Sequence, residues 1–269
     1  MQTRRAGYVI VSLQDVPNVP ALDLAEGTGP YPAIIFIFGG GWNSGGRIAF
    51  REHIQWAAEK GYVGVAMDYR LLNRMEAGEF LYPFPAQIQD PKCAVQWLRA
   101  NAEEYKIDQD RIGAVGIGSG SHLTLLLALT DESDGLEGDC DFADYSSRIQ
   151  AAVGIAGPIE LTSHYAMGKG VKGYVSNLCG GTPDEVPEAY ERASPITYVS
   201  GDDPPVLTIF GELDEMAMPY QGELMKARTE EYGIHHELVV LEGKNHVKLG
   251  LLLGESYDLA YDFFDEFLK

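Results

Sequence analysis

Three stretches of the chain carry residues whose types and spacing could do chemistry together. Phe38-Gly39-Gly40-Gly41-Trp42 follows an apolar run, and three consecutive glycines expose backbone N–H groups that no side chain shields. Such a loop suits an oxyanion, whose developing charge needs preorganised donors. A plain tight turn would be satisfied by one or two glycines, whereas here Gly45 and Gly46 follow as well. Phe38 and Trp42 flank the loop as pocket candidates. The second stretch is Gly116-Ile117-Gly118-Ser119-Gly120-Ser121-His122-Leu123. Glycines around a sharp strand-turn-helix junction mark a nucleophile elbow, G-x-S-x-G, but the central position is Gly118 instead of serine. The third is a pair: Asp214 closes Gly211-Glu212-Leu213-Asp214, and His246 closes Glu242-Gly243-Lys244-Asn245-His246. An acid and a histidine on loops after successive late strands can form a charge-oriented imidazole.

The elements that must position these residues are legible as alternating patterns. Continuous apolar runs of strand length lie at 33–38, 62–67, 112–117, 151–155, 206–210 and 238–241. They lack period-2 alternation, as strands covered by helices on both faces do. Between them lie helical patterns. Asp90-Pro91 reads as an N-cap and first-turn proline, after which Ala94, Trp97 and Leu98 form an i, i+3, i+4 stripe. Residues 121–129 open a nearly all-apolar helix, and 255–268 close the chain as an amphipathic one. The run at 8–13 reads as a first strand. The alternation predicts an α/β fold with a predominantly parallel central sheet, in a single domain spanning 1–269. Two segments depart from it: residues 131–147, crowded with Asp and Glu, and residues 156–200, rich in glycine and proline. Both are expected to shape a pocket, although 131–147 by itself reads as a solvated loop and does not fit an EF-hand.

In chain order the glycine loop, elbow, acid and histidine resemble an α/β-hydrolase of the bacterial carboxylesterase group, which includes hormone-sensitive-lipase-like and acetyl-xylan or feruloyl esterases. The resemblance is carried also by Asp68-Tyr69-Arg70-Leu71, by residues 94–101 and 107–112, by Gly120-Ser121-His122-Leu123, by Ala193-Ser194-Pro195-Ile196 and by Asp202-Asp203-Pro204-Pro205. It implies that Asp214 is a triad acid and His246 a general base. It also implies that the N–H groups of Gly40, Gly41 and Ser119 form an oxyanion hole. Phe38 and Phe210 stand where the group commonly has histidine, and Gly118 stands where it has the nucleophilic serine. The implied reaction is hydrolysis of a small neutral ester, or of an acetylated or feruloylated sugar, with no metal or organic cofactor.

Gly118 admits three explanations: an esterase inactivated by replacement of its serine, a natural pseudo-hydrolase that binds a ligand or does non-hydrolytic chemistry, or a displaced nucleophile at Ser119 or Ser121. A non-enzymatic binding module is a further class, signalled by a pocket filled with bulky side chains such as Phe38. His122 reads as a packing residue, and Asp68 as structural through a nearby backbone group or Arg70. Arg70, Arg74 and Tyr82 are unplaced candidates for the pocket wall.

Composition bounds the rest. Forty Asp and Glu against 20 Lys and Arg leave a net charge of −20, which argues against nucleic acid or anionic lipid as partner. No stretch approaches the roughly 18 apolar residues of a membrane span, and the apolar run at 8–13 is too short for a signal-peptide core. A cytoplasmic protein, or a secreted one with its leader removed, is expected. Cys93, Cys140 and Cys179 form no C-x-x-C pair, so no zinc site is indicated, and whether one pair bridges is left open.

Overall fold

The computed structural model describes residues 9–10, 21–23, 27–75, 78–249 and 254–269. The apolar runs condense into one eight-stranded sheet made of β1 (Val9–Ile10), β2 (Ala21–Asp23), β3 (Tyr31–Ile37), β4 (Val63–Ala66), β5 (Ile107–Ile117), β6 (Ala151–Ile155), β7 (Val206–Gly211) and β8 (His236–Leu241). The order is β1-β2-β4-β3-β5-β6-β7-β8. The six strands from β4 to β8 run parallel, and β2 pairs antiparallel with β4. Of the run at 8–13, only Val9–Ile10 falls within the described residues.

Among the described residues, the strands are connected and covered by the helices α1 (Arg51–Glu59), α2 (Ala86–Ala100), α3 (Ala102–Tyr105), α4 (Ser119–Leu129), α5 (Leu161–Met167), α6 (Lys172–Cys179), α7 (Pro187–Ala193), α8 (Tyr220–Tyr232), α9 (His246–Leu249) and α10 (Glu255–Leu268). The two faces of β5 show how the layers seat. A Cβ on Gly116 would strike the Gly120 backbone of α4, and one on Gly113 would strike Phe264 and Leu268 of α10. These positions differ by an odd number, so they point to opposite faces of the strand. Every residue of α4 is buried, which is why its apolar residues do not form a single stripe and its few polar side chains are hydrogen-bonded or packed inside. On the other face α1 and α10 meet through Trp56 against Tyr261 and His53 against Tyr257.

One sequence expectation is corrected. Helix α2 begins at Ala86, so Asp90 is inside it and caps nothing, and Pro91 is an interior proline. The Asp90 carboxylate instead accepts the Arg70 backbone N–H at 2.6 Å and its Nε–H at 2.9 Å. Asp68 is structural as expected: of the two alternatives it takes a backbone group, the Arg47 N–H at 2.7 Å, and adds an ion pair to the Arg47 guanidinium at 3.0 Å. In both cases one arginine supplies a backbone N–H and its guanidinium to the same carboxylate, and the charged donor adds a bond about twice as strong as a neutral one.

The acidic segment 131–147 is more than a solvated loop. Lys92 is fully buried in α2, and its ammonium donates to Glu137 at 2.7 Å, Thr130 O at 3.2 Å and Ser147 Oγ at 3.3 Å. The next residue, Cys93, is disulfide-bonded to Cys140 across 47 residues, while Cys179 is free. Closing a loop of that length removes roughly 4 kcal/mol of chain entropy from the unfolded state. Asp131 caps a short turn over Glu132–Asp134.

Two outcomes follow. Glu137→Ala strands a buried ammonium and is expected to lower the unfolding free energy by roughly 3–5 kcal/mol, whereas Lys92→Met combined with Glu137→Ala restores most of it; urea denaturation measures both. The second concerns pH. Burial lowers the pKa of His53, His122, His164 and His236 to about 4. Between that value and the unfolded value of about 6.5, the unfolded state binds more protons, so stability is lost as pH falls through this window. Asp203, raised to about 6 by burial, acts with the opposite sign but is one group against four. The urea midpoint should therefore drop between about pH 7 and pH 5, and an unchanged midpoint would show that these imidazoles charge in place.

Candidate active site

The β5–α4 junction is a left-handed turn. Gly118 has φ 56° and ψ −119°; its N–H donates to Ile155 O at 2.9 Å, and its carbonyl accepts His122 N–H at 3.1 Å. A side chain rarely adopts this conformation, and elbows hold it only where the surroundings enforce it. A Cβ built on Gly118 would sit 3.7 Å from His246 Nε2, with only that ring within 4 Å. The space over the elbow is therefore open and faces the imidazole.

His246 opens α9 after β8, and Asp214 lies in the turn after β7. The pair spaced 32 residues apart meets with His246 Nδ1–H donating to Asp214 Oδ2 at 2.8 Å. The other carboxylate oxygen accepts the N–H groups of Met216 and Ala217, both at 2.9 Å. With its side chain fully buried, Asp214 is fixed on both oxygens, and it fixes the tautomer that leaves Nε2 toward Gly118.

The glycine loop follows β3. Gly40, Gly41 and Trp42 have φ of 128°, 62° and 61°, and the Gly40 carbonyl accepts Asn43 N–H at 3.3 Å and Ser44 Oγ–H at 2.8 Å. A side chain at Gly41 would collide with the Tyr174 ring at 2.4 Å. His122 ties the loop to α4. It accepts the Trp42 indole N–H on Nδ1 at 3.2 Å and donates from Nε2 to Ala193 O at 2.7 Å. It is thus a buried strut, as its sequence context indicated. Phe38 stacks on Tyr69 with centroids 4.3 Å apart. The Tyr69 hydroxyl donates to Phe38 O at 3.1 Å and lies 3.3 Å from Ser119 Oγ. Ser119 is buried with its hydroxyl on Tyr69, and Ser121 is buried against Gly154 and Gly157.

These parts converge on a cavity of about 540 Å³, lined by Phe38 to Trp42, Gly118, Ser119 and His246, with further walls from Pro158, His164, Val171 and Tyr174. Residues 156–200 thus contribute to its wall, and residues 131–147 contribute none of it. Arg70, Arg74 and Tyr82 are not on the wall either: Arg70 is taken by Asp90, and Arg74 donates to Gly78 O at 3.2 Å. Phe38 borders the cavity without filling it.

Two histidines on the wall, His53 and His164, carried no signal in the sequence. His164 is buried on α5, and burial followed by the neighbouring His246 lowers its pKa to about 4, so it is neutral beside the dyad. No strand end or glycine motif flags either residue, since each lies inside a helix.

The BD-FAE family model matches residues 22–229. The esterase LipC of Mycobacterium tuberculosis is 31% identical over 190 residues, 70% of this chain and 45% of its own length. The chain spans about half the length of the curated relatives it matches. Among solved structures, a truncated carbohydrate esterase from gut microbiota superposes with a TM-score of 0.79 at 27% identity, covering 92% of this chain and 90% of its own. Butyrate-bound esterase Est2 of Thermogutta terrifontis has a TM-score of 0.77 at 23% identity, covering 97% and 94%, and shares the fold. Among the described residues no helix is long and apolar enough to cross a membrane. With its family model reaching from β2 into α8, the chain belongs to the BD-FAE family and has the α/β-hydrolase fold.

Proposed function

We propose that the cavity is the site of a serine-type carboxylic-ester hydrolase in which Gly118 holds the nucleophile's place. The observation that carries this is the 3.7 Å between a Cβ on Gly118 and His246 Nε2, across otherwise open space. With serine at 118, Nε2 would take the hydroxyl proton as Oγ attacks the ester carbonyl. Asp214 would hold the resulting imidazolium. The N–H groups of Gly40, Gly41 and Ser119 would receive the oxyanion. The protonated His246 would return its proton to the departing alcohol, and water would then release the acid by the same route.

In the chain as it stands no Oγ is available, so no acyl-enzyme forms by this route. Substrate binding and the oxyanion donors remain, which in triad enzymes sustain roughly 10³- to 10⁴-fold acceleration over water. A displaced nucleophile finds no support in the geometry, since Ser119 Oγ is engaged with Tyr69. The apolar cavity wall and the −20 charge favour a neutral substrate, a small ester or an acetylated or feruloylated sugar.

Gly118→Ser tests the proposal. Hydrolysis of p-nitrophenyl acetate should rise on the order of 10⁴-fold or more, with an acetylated protein mass trapped at low pH. Because a side chain is strained at φ 56°, the same substitution should cost about 1–3 kcal/mol of stability in urea denaturation. A folded serine variant with no gain in rate would defeat the esterase assignment and favour a ligand-binding pseudo-hydrolase.

A further inference from the structure

Part of the cavity wall comes from elements that supply nothing to the dyad: Gly45, Gly46, Ala49, Phe50, His53 and Tyr257. His53 is the anomaly among them. It is 2% exposed, and neither ring nitrogen has a hydrogen-bond partner among the described residues. Aromatic rings surround it, Tyr257 at 4.3 Å, Phe50 at 5.0 Å and Phe36 at 5.9 Å between centroids. Leucine or phenylalanine would pack against those rings without leaving a buried donor and acceptor unpaired, which proteins rarely tolerate. The other buried side-chain atoms without partners, on Gln87, Gln96 and His236, all lie away from the cavity. Among the described residues, only His53 joins that deficit to the cavity wall.

The chemistry of the missing partner follows from the ring. Desolvation keeps His53 neutral above about pH 4, so it offers one N–H donor and one bare nitrogen. A hydroxyl, which both donates and accepts, complements either. A carboxylate would have to shed its water into an aromatic enclosure, and the chain's net charge of −20 opposes its approach.

We propose that this wall is a subsite for a hydroxyl that the ester substrate carries away from its ester bond, with His53 as hydrogen-bond partner and Phe50 and Tyr257 as apolar flanks. The inference rests on the ester-binding reading of the cavity given above.

The unmodified chain, which lacks the serine, allows binding to be measured by titration calorimetry without acyl-enzyme turnover. The probes are pentyl acetate, ethyl heptanoate, and the isostere of each in which the terminal methyl is a hydroxyl. At least one hydroxyl-bearing ester should bind about tenfold more tightly than its methyl isostere, the worth of one hydrogen bond. His53→Leu should erase that preference while leaving the methyl isostere within about twofold, and His53→Gln should retain part of it. The leucine variant should unfold at or above the parent's temperature, because it removes an unpaired buried polar group. Equal affinities within both pairs, or a preference that survives His53→Leu, overturn the subsite alone. If none of the four esters binds, the ester reading of the cavity falls and the subsite falls with it. Should the leucine variant not fold, the preference of the unmodified chain and its reduction in His53→Gln decide the question.

Discussion

The constraint on which the rest of the site depends is the left-handed turn at residue 118. Strand β5 ends and α4 begins across one residue, and the turn is clamped from two sides, by Ile155 O on the neighbouring strand and by the His122 N–H one turn into the helix. Gly120 is pressed so close to β3 that a Cβ would lie 2.0 Å from Ile37 O. The helix therefore starts hard against the sheet, with the elbow raised at the carboxyl edge of the parallel strands. The loops after β3, β7 and β8 all open at that same edge, as they must when parallel strands share one direction. The glycine loop, Asp214 and His246 thus arrive around residue 118 without any one segment spanning the site.

Glycine at this position changes the energetics more than the geometry. An elbow with a side chain stores backbone strain that the surrounding bonds must hold, whereas glycine adopts φ 56° at little cost. The clamps, the Asp214–His246 pair and the left-handed glycine loop are all present around it. They are held by interactions of their own: Asp214 accepts two backbone N–H groups of its own turn, and His122 braces Trp42 against Ala193. The order of these residues therefore does not depend on a side chain at position 118.

The charge balance also reads differently once partners are known. Acidic residues outnumber basic ones two to one, yet several carboxylates do structural work. Glu137 neutralises Lys92, Asp90 holds Arg70, and Glu160 caps α5 by accepting Thr162 and Ser163 N–H groups. Among the described residues the cavity wall carries no carboxylate and is left to glycines, apolar side chains, serines and histidines.

Much of this was legible in the sequence for a simple reason: burial on both faces of a parallel strand writes a continuous apolar run, and an amphipathic helix writes a stripe. The last helix falls on Glu255–Leu268 as its pattern indicates, and the glycine loop and elbow sit at the strand ends where their motifs place them. Local signals failed where a local bond had a stronger distant rival. Asp90-Pro91 resembles a helix start, but Arg70 from another segment claims the carboxylate and α2 begins four residues earlier. The sequence by itself determined the alternation of strands and helices, the glycine at the elbow apex and the order of the late acid and histidine, because each is written in neighbouring residues. Only the tertiary structure decided that Cys93 joins Cys140, that His164 stands beside the dyad and that His53 lines the cavity with no partner among the described residues. Those outcomes depend on which distant loops and helices converge at one sheet edge, and no short-range pattern encodes that convergence.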